Sequence, residues 1–155
     1  MLEEVVVNKL IEKKQTIASM ESCSGGALCD AITDVEGASK VIKFSAITFS
    51  NEYKVRLGVD RSIIEEYSVN SVETARQMAF KITFFAESTY GIGITGRYNN
   101  KSEDLNKRKK IYISIYNSKE HKYHDLILKS PNKRIKKCNE YVVKKTLEKL
   151  LEIIK

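Results

Sequence analysis

The chain has 155 residues, a length typical of one domain, with 42% hydrophobic and 30% charged residues and a formal net charge of +7. This balance is that of a globular protein and excludes an intrinsically disordered one. No apolar run reaches the roughly 18 residues of a membrane span, and the first residues lack the pattern of a secretory signal. We therefore expect a cytoplasmic protein with no membrane partner. The lysines are interleaved with acidic and amide residues, which indicates a solvated surface.

Hydrophobic periodicity divides the chain into alternating helices and strands. The first part of the chain is predicted to form a helix over 2–14, a strand over 16–20, a helix from Leu28 to about Val35 ended by Gly37, and a strand over 41–49. The middle part follows with short helices capped by Ser50 and Asp60, a helix capped by Ser71 with an apolar stripe through Phe85, and a strand over 90–95. The last part is predicted to be a loop over 97–110, a hairpin of strands over 111–116 and 123–128, and a helix over 132–154. This order predicts an α/β fold, with a mixed sheet of about five strands covered by helices on both faces, in a single domain over residues 1–155.

The cysteines and histidines indicate no zinc site. Cys23, Cys29 and Cys138 are odd in number and lack CxxC spacing, which also argues against a disulfide framework and fits a reducing compartment. His121 and His124 lie in the predicted hairpin and form no zinc spacing with any cysteine. We therefore interpret both histidines as structural, and we predict no metal.

The turn after the first strand is the best candidate for an active site. In α/β sheets, ligands bind where strands end and the following helices begin. Residues 22–26 of this turn include two hydroxyl groups, Ser22 and Ser24, and two glycines, Gly25 and Gly26, whose amides a ligand can approach. Such a turn could hold a phosphate or form an oxyanion hole beside a serine nucleophile. A serine-capped helix with glycines for close packing explains the same residues equally well.

The ends of the next two strands also carry unusual residues. Phe49 and Lys54 follow the second strand, and Thr95 and Gly96 end the third. A lysine that is desolvated near a serine can act as its base. Spacing alone favours the simpler alternative, in which Lys54 faces solvent.

With these residues in place, the chain resembles the C-terminal domain family of the competence-damage-inducible protein CinA. The resemblance covers residues 2–96 well and the remainder by element order only. Its motifs, in the family's order, are residues 21–26, close to E-S-C-T-G-G; residues 32–39, similar to I-T-D-V-P-G-S-S; residues 49–54, similar to Y-S-N-E-A-K; residues 57–59 and 71–79; and residues 94–96, which fit I-T-G.

The resemblance implies a three-layer α/β/α fold and an enzyme. The implied activity is an amidohydrolase that converts nicotinamide mononucleotide to nicotinic acid mononucleotide and ammonia, with no metal or organic cofactor, in a homo-oligomer. Ser22 would be the nucleophile, Lys54 the general base and Ser39 a hydroxyl relay. The implied contacts to the oxyanion or substrate are Ser24, Gly25, Gly26, Phe49, Thr95, Gly96 and Arg134.

Two departures from the family pattern keep other functions open. Phe49 stands where the family has a tyrosine, so a phenol is missing. Residues 97–110 replace a glycine- and proline-rich segment and contain neither residue, although glycines would let backbone amides approach a ligand closely. One alternative is a nucleotide-binding homologue that has lost catalysis. The other is a nucleic-acid-binding protein using the lysines of 101–110 and 133–137, but such runs are more often solvated, and nucleic acid is not the expected partner.

Overall fold

Strands and helices alternate along the chain in the computed structural model, which describes residues 1–99 and 109–155. The elements are α1 (Leu2–Lys13), β1 (Ile17–Glu21), α2 (Ala27–Thr33), a 3₁₀ turn (Ala38–Lys40), β2 (Ile42–Ile47), α3 (Asn51–Arg56), α4 (Arg61–Tyr67), α5 (Val72–Ala86), β3 (Tyr90–Gly96), β4 (Lys110–Asn117), β5 (Lys122–Lys129) and α6 (Ile135–Ile153). Within the described residues, no helix is both long and apolar enough to cross a membrane.

The strands form one mixed sheet in the order β2-β1-β3-β4-β5. β1 runs parallel to β2 and β3, whereas β4 and β5 are antiparallel to their neighbours. The carboxyl ends of β1, β2 and β3 therefore meet at one edge of the sheet, and β5 ends at the same edge. The predicted mixed sheet is confirmed, and its topology determines which loops lie near each other.

Helices cover both faces of the sheet, as the predicted three-layer architecture requires. On one face, β-strand residues such as Ile92 and Ile94 pack against apolar residues of α1, α2 and α6 in the larger core. On the other face, Met20 packs with Met78 and Ile82 of α5 in a smaller cluster. Alternation along each strand sends successive side chains to opposite faces, so each buried strand serves both layers.

Helix α5 lies so close to β3 that the strand can carry no side chain at Gly91 or Gly93. A Cβ atom built at Gly93 would collide with the Ala75 carbonyl oxygen and lie 2.8 Å from the Ala79 amide nitrogen. At Gly91 an added Cβ would collide with the Thr83 hydroxyl. These two glycines therefore set the distance between the helix and the sheet.

We expect Gly93→Ala to lower the free energy of unfolding by about 1–3 kcal/mol, because the backbone of α5 must move to admit the methyl group. Urea denaturation measures the change. The matched control is Ser114→Ala on β4, directly opposite Gly93. The Ser114 hydroxyl is buried and has no hydrogen-bond partner among residues 1–99 and 109–155, so its removal should be neutral or stabilising. A Gly93→Ala protein as stable as this control would contradict the account.

Several predicted boundaries are wrong. α2 ends at Thr33, and Gly37 precedes the 3₁₀ turn instead of capping that helix. Lys110, predicted to be loop, begins β4 because it pairs with Lys129 of β5; residues 100–108 of that predicted loop lie outside the described residues. Phe85, assigned to the apolar stripe of α5, is 59% exposed and contacts a β2 side chain at the outer edge of the sheet.

Candidate active site

Ser22 and Lys54 meet at the edge of the sheet where β1 and β2 end. The Lys54 Nζ donates a hydrogen bond to the Ser22 Oγ at 3.1 Å, and both residues are buried. The Ser22 amide donates to the Ile94 carbonyl oxygen of β3, which fixes the serine to the sheet. The fold thus brings together two side chains that lie 32 positions apart in the sequence.

The chain after β2 directs Lys54 into the protein. The Ser50 side chain accepts a hydrogen bond from the Tyr53 amide and so caps α3, which turns the chain back toward β1. The Lys54 Nζ also donates to the Thr48 carbonyl oxygen at 2.6 Å, and the Thr48 amide donates to the Glu21 carbonyl oxygen. Lys54 is only 1% exposed. The alternative of a solvent-facing lysine is therefore wrong.

The surroundings of Lys54 favour a neutral amine. Burial lowers the pKa of Lys54, because a charged ammonium is disfavoured away from water. No carboxylate within the described residues contacts its Nζ, and its two partners there are a hydroxyl and a carbonyl. The nearby Cys23 thiol has a pKa raised by burial to about 12, so it supplies no negative charge near pH 7. An amine in this environment can accept the proton of Ser22.

The turn after Ser22 offers a different set of amides from the predicted one. The Gly25 amide donates to the Ser22 carbonyl oxygen, so it is not available to a ligand. A Cβ built at Gly26 would lie 2.9 Å from Ile47 Cδ1, and both glycines have positive φ angles of 59° and 96°. The amides of Cys23, Ser24 and Gly26 make no hydrogen bond to another described residue. These amides, rather than that of Gly25, can bind an oxyanion.

Glu21 is a site residue that the sequence analysis gave no role. Its carboxylate accepts hydrogen bonds from the Ser24 hydroxyl at 2.7 Å and from the Leu28 and Cys29 amides at 3.1 and 3.0 Å. The Ser24 hydroxyl is therefore engaged, and the predicted contact of Ser24 with an oxyanion or substrate stays a prediction for its backbone amide. Because Glu21 also occupies the Leu28 and Cys29 amides, a substrate phosphate cannot bind to them. The sequence does show a glutamate in the motif directly before Ser22. It does not show the hydrogen-bond partners of this glutamate, which lie up to eight residues further along the chain.

Ser39 does not reach the Ser22–Lys54 pair within one chain. It is exposed and lies in the 3₁₀ turn that precedes β2, whereas Ser22 lies beside the carboxyl end of β2. A strand of six residues separates the two ends by about 17–20 Å. The prediction of Ser39 as a relay is wrong for a single chain, because parallel β1 and β2 place the entry and the exit of β2 at opposite edges.

Thr95 and Gly96 lie at the same edge as Ser22 but have structural partners. Thr95 is 1% exposed and its hydroxyl donates to the Val69 carbonyl oxygen at 3.2 Å. At Gly96, an added Cβ would lie 2.7 Å from the Ile111 Cα of β4. Close pairing of β3 and β4 therefore explains this glycine without a ligand.

Phe49 and Arg134 are exposed residues near the same edge. Phe49 is 71% exposed and directly follows Thr48, whose carbonyl holds Lys54. Arg134 precedes α6, which begins after β5 has returned to this edge. Within the described residues, neither forms a hydrogen bond or an ion pair with Ser22 or Lys54. Their roles in binding a ligand stay predictions.

The segment that departs from the family pattern begins with two anchored residues. Tyr98 lies against the Cys23 side chain, and its phenol donates to the Asn139 Oδ1 of α6 at 2.7 Å. The Asn99 amide donates to the Ser130 Oγ, and its side-chain oxygen accepts from the Lys109 amide. Tyr98 therefore lies beside the turn formed by residues 22–26, a contact that the sequence did not predict.

Relatives of known sequence agree with the resemblance. The family model described as CinA C-terminal domain matches residues 1–154. A CinA-like protein of Dictyoglomus turgidum is 38% identical over 137 residues, which are 87% of this chain and 33% of that protein. A CinA-like protein of Desulforapulum autotrophicum is 44% identical over 96 residues, 61% of this chain and 23% of that protein. The chain spans a third or less of the length of these two relatives.

Solved structures show the same fold. A competence-damaged protein (CinA) superfamily protein from Escherichia coli has a TM-score of 0.87 at 22% identity, covering 98% of this chain and 88% of that chain. One from Klebsiella pneumoniae has a TM-score of 0.88 at 19% identity, covering 99% and 95%. Together with the match over residues 1–154, these comparisons lead to one conclusion: the chain belongs to the CinA C-terminal domain family.

Proposed function

We propose that this domain hydrolyses the carboxamide of nicotinamide mononucleotide, with Ser22 as the nucleophile and Lys54 as the general base. The single observation that carries the proposal is the 3.1 Å hydrogen bond between the buried Lys54 amine and the Ser22 hydroxyl. The resemblance of the motifs around these residues to the CinA family supports the choice of substrate. Activated serine nucleophiles need an adjacent base within hydrogen-bond reach, and this pair meets that requirement.

The first chemical step forms an ester on Ser22. Neutral Lys54 accepts the hydroxyl proton while the Ser22 Oγ attacks the amide carbon, and the carbonyl oxygen becomes an oxyanion near the amides of Cys23 and Ser24. The C–N bond then breaks, and Lys54 returns its proton to the leaving nitrogen, which departs as ammonia. In the second step, water attacks the ester, Lys54 accepts its proton, and the acid is released as Ser22 regains its hydrogen.

Thr48 supports the base through its backbone. A neutral amine has two hydrogens and one lone pair, and the Thr48 carbonyl oxygen accepts one of the hydrogens at 2.6 Å. This bond limits rotation of the amine, which accepts the Ser22 proton once its lone pair replaces the N–H that it directs at the Ser22 Oγ in the structure. Because a carbonyl rather than a carboxylate holds the amine, the contact does not require a positive charge on Lys54.

The substrate's ring and phosphate would lie outside the nucleophile turn. Glu21 occupies the first amides of α2, so the phosphate needs a basic group elsewhere, and Arg134 at the start of α6 is the candidate. Phe49 offers an exposed ring directly after Thr48 in the chain, and aromatic faces stack readily on planar heterocycles.

The test is to incubate the purified protein with nicotinamide mononucleotide and to measure ammonia together with nicotinic acid mononucleotide. We expect both products in equal amounts from the wild type and neither from a Ser22→Ala control. Equal rates for the two proteins would contradict the proposal. So would thermal stabilisation by the nucleotide without turnover, which is the result expected of a homologue that binds nucleotide without catalysis.

A further inference from the structure

Glu21 is a fully buried carboxylate placed directly before the nucleophile. It is the last residue of β1 and its exposed fraction is 0%. No lysine, arginine or histidine side chain within the described residues forms an ion pair with it. Burying a carboxylate is costly unless hydrogen bonds compensate for the lost water, so its partners must be firmly held.

Three donors surround this carboxylate, all from the turn and helix that follow Ser22. The Ser24 hydroxyl and the Leu28 amide donate to one oxygen, and the Cys29 amide donates to the other. Hydrogen bonds to a carboxylate are shorter and stronger than those between neutral groups. Glu21 therefore connects the end of β1, which precedes Ser22, to the turn and the start of α2, which follow Ser22.

The turn between these two points needs such a support. Gly25 and Gly26 both adopt positive φ angles, and glycine has more backbone freedom than other residues. Within the turn, backbone hydrogen bonds run from the Gly25 amide to Ser22 and from the Ala27 amide to Ser24. The Ser24 side chain adds the only link from the middle of the turn to Glu21 among the described residues.

We propose that Glu21 is a positioning residue for the Ser22–Lys54 pair. Its carboxylate holds the turn so that the Ser22 Oγ stays within reach of Lys54 and the Ser24 amide stays free for an oxyanion. This inference rests on the proposed function for its kinetic test. It predicts that loss of the carboxylate slows the chemical step more than it weakens substrate binding.

The first test is Glu21→Gln, which keeps the shape of the side chain but replaces an acceptor with an NH₂ group facing donors. We expect kcat on nicotinamide mononucleotide to fall about 10- to 100-fold while KM changes less than about threefold, the scale of a displaced catalytic group. Glu148→Gln is the matched control. It makes the same substitution at a half-exposed α6 carboxylate that pairs with Lys145, so its kcat should equal that of the wild type.

The second test separates positioning from general stability. In Glu21→Ala, sodium formate can supply a carboxylate to the same three donors, and we expect it to raise kcat at least about tenfold with saturation. Ser22→Ala should show no such rescue. If Glu21→Ala does not fold, the Glu21→Gln comparison decides the question. A Glu21→Gln protein with wild-type kcat, or a folded Glu21→Ala protein that formate does not rescue, would overturn the inference.

A substrate-independent measurement distinguishes failure of this inference from failure of the proposed function. A fluorophosphonate reagent forms a bond between its phosphorus and the Ser22 Oγ and releases fluoride, while Lys54 takes the proton. The labelling rate should fall about 10- to 100-fold in Glu21→Gln whichever amide is the true substrate. Unchanged labelling would refute the role of Glu21, whereas slower labelling without turnover of the nucleotide would refute only the substrate.

Discussion

Replacement of Lys54 by methionine is expected to lower kcat on nicotinamide mononucleotide by about 10²- to 10⁴-fold without destabilising the fold. The methionine side chain cannot accept the Ser22 proton, so the hydroxyl stays a weak nucleophile. Stability should be retained because an apolar side chain of similar length replaces an amine that is 1% exposed and has no charged partner among the described residues. Steady-state kinetics and urea denaturation measure the two effects.

Two further variants define the role of the lysine. Lys54→Arg keeps a positive charge and hydrogen-bond donors but cannot lose its proton near neutral pH, so we expect it to be as inactive as Lys54→Met. Lys81→Met, at a half-buried position on α5 beside Gly58, controls for the loss of a lysine and should keep wild-type activity. An active Lys54→Arg protein would show that Lys54 acts as a charge or a donor and not as a base.

The rate should also rise with pH, because only neutral Lys54 can act as the base. Burial lowers the pKa of Lys54, so the active form is populated at a lower pH than an exposed lysine would allow. Below this pKa we expect kcat/KM to increase about tenfold per pH unit, and above it to reach a plateau. A profile of kcat/KM against pH measures the pH at which the increase gives way to the plateau. A rate that falls as pH rises through this range would contradict the role of Lys54.

The same lowered pKa links protein stability to pH. Between the pKa of Lys54 in the folded protein and 10.5, the ordinary value, the unfolded chain binds more protons than the folded one. The free energy of unfolding therefore gains a contribution that grows as pH rises through this window and is lost as pH falls. Lys54→Met lacks this contribution. Urea denaturation at several pH values should show any stability advantage of the methionine variant shrinking as pH increases.

The sequence predicts the architecture well because local patterns determine most of it. Apolar periodicity identifies each helix and strand, and the predicted mixed sheet follows from their order. The Ser22–Lys54 pair could also be anticipated, since both residues follow strands whose carboxyl ends meet at one edge. What spacing could not decide is whether Lys54 points inward. That outcome depends on the Ser50 cap and on the Thr48 carbonyl oxygen.

The site residues that were misplaced or missed all depend on features of the three-dimensional fold. Ser39 was assigned to the site from a motif, but strand direction places it at the opposite edge of the sheet. Gly25 was expected to present its amide to a ligand, but that amide closes the turn onto Ser22. Glu21 received no role because its three partners lie three to eight residues away. The Gly25 and Glu21 cases depend on hydrogen bonds and the Ser39 case on strand direction, and residue type and spacing specify neither.

Mass spectrometry of the protein during turnover tests the central claim most directly. Samples quenched with acid while nicotinamide mononucleotide is being consumed should contain a peptide in which Ser22 carries the nicotinate mononucleotide acyl group. The adduct should be absent from Ser22→Ala and scarce in Lys54→Met. Steady turnover with an unmodified Ser22 peptide, undiminished in Ser22→Ala, would contradict covalent catalysis by the serine–lysine pair.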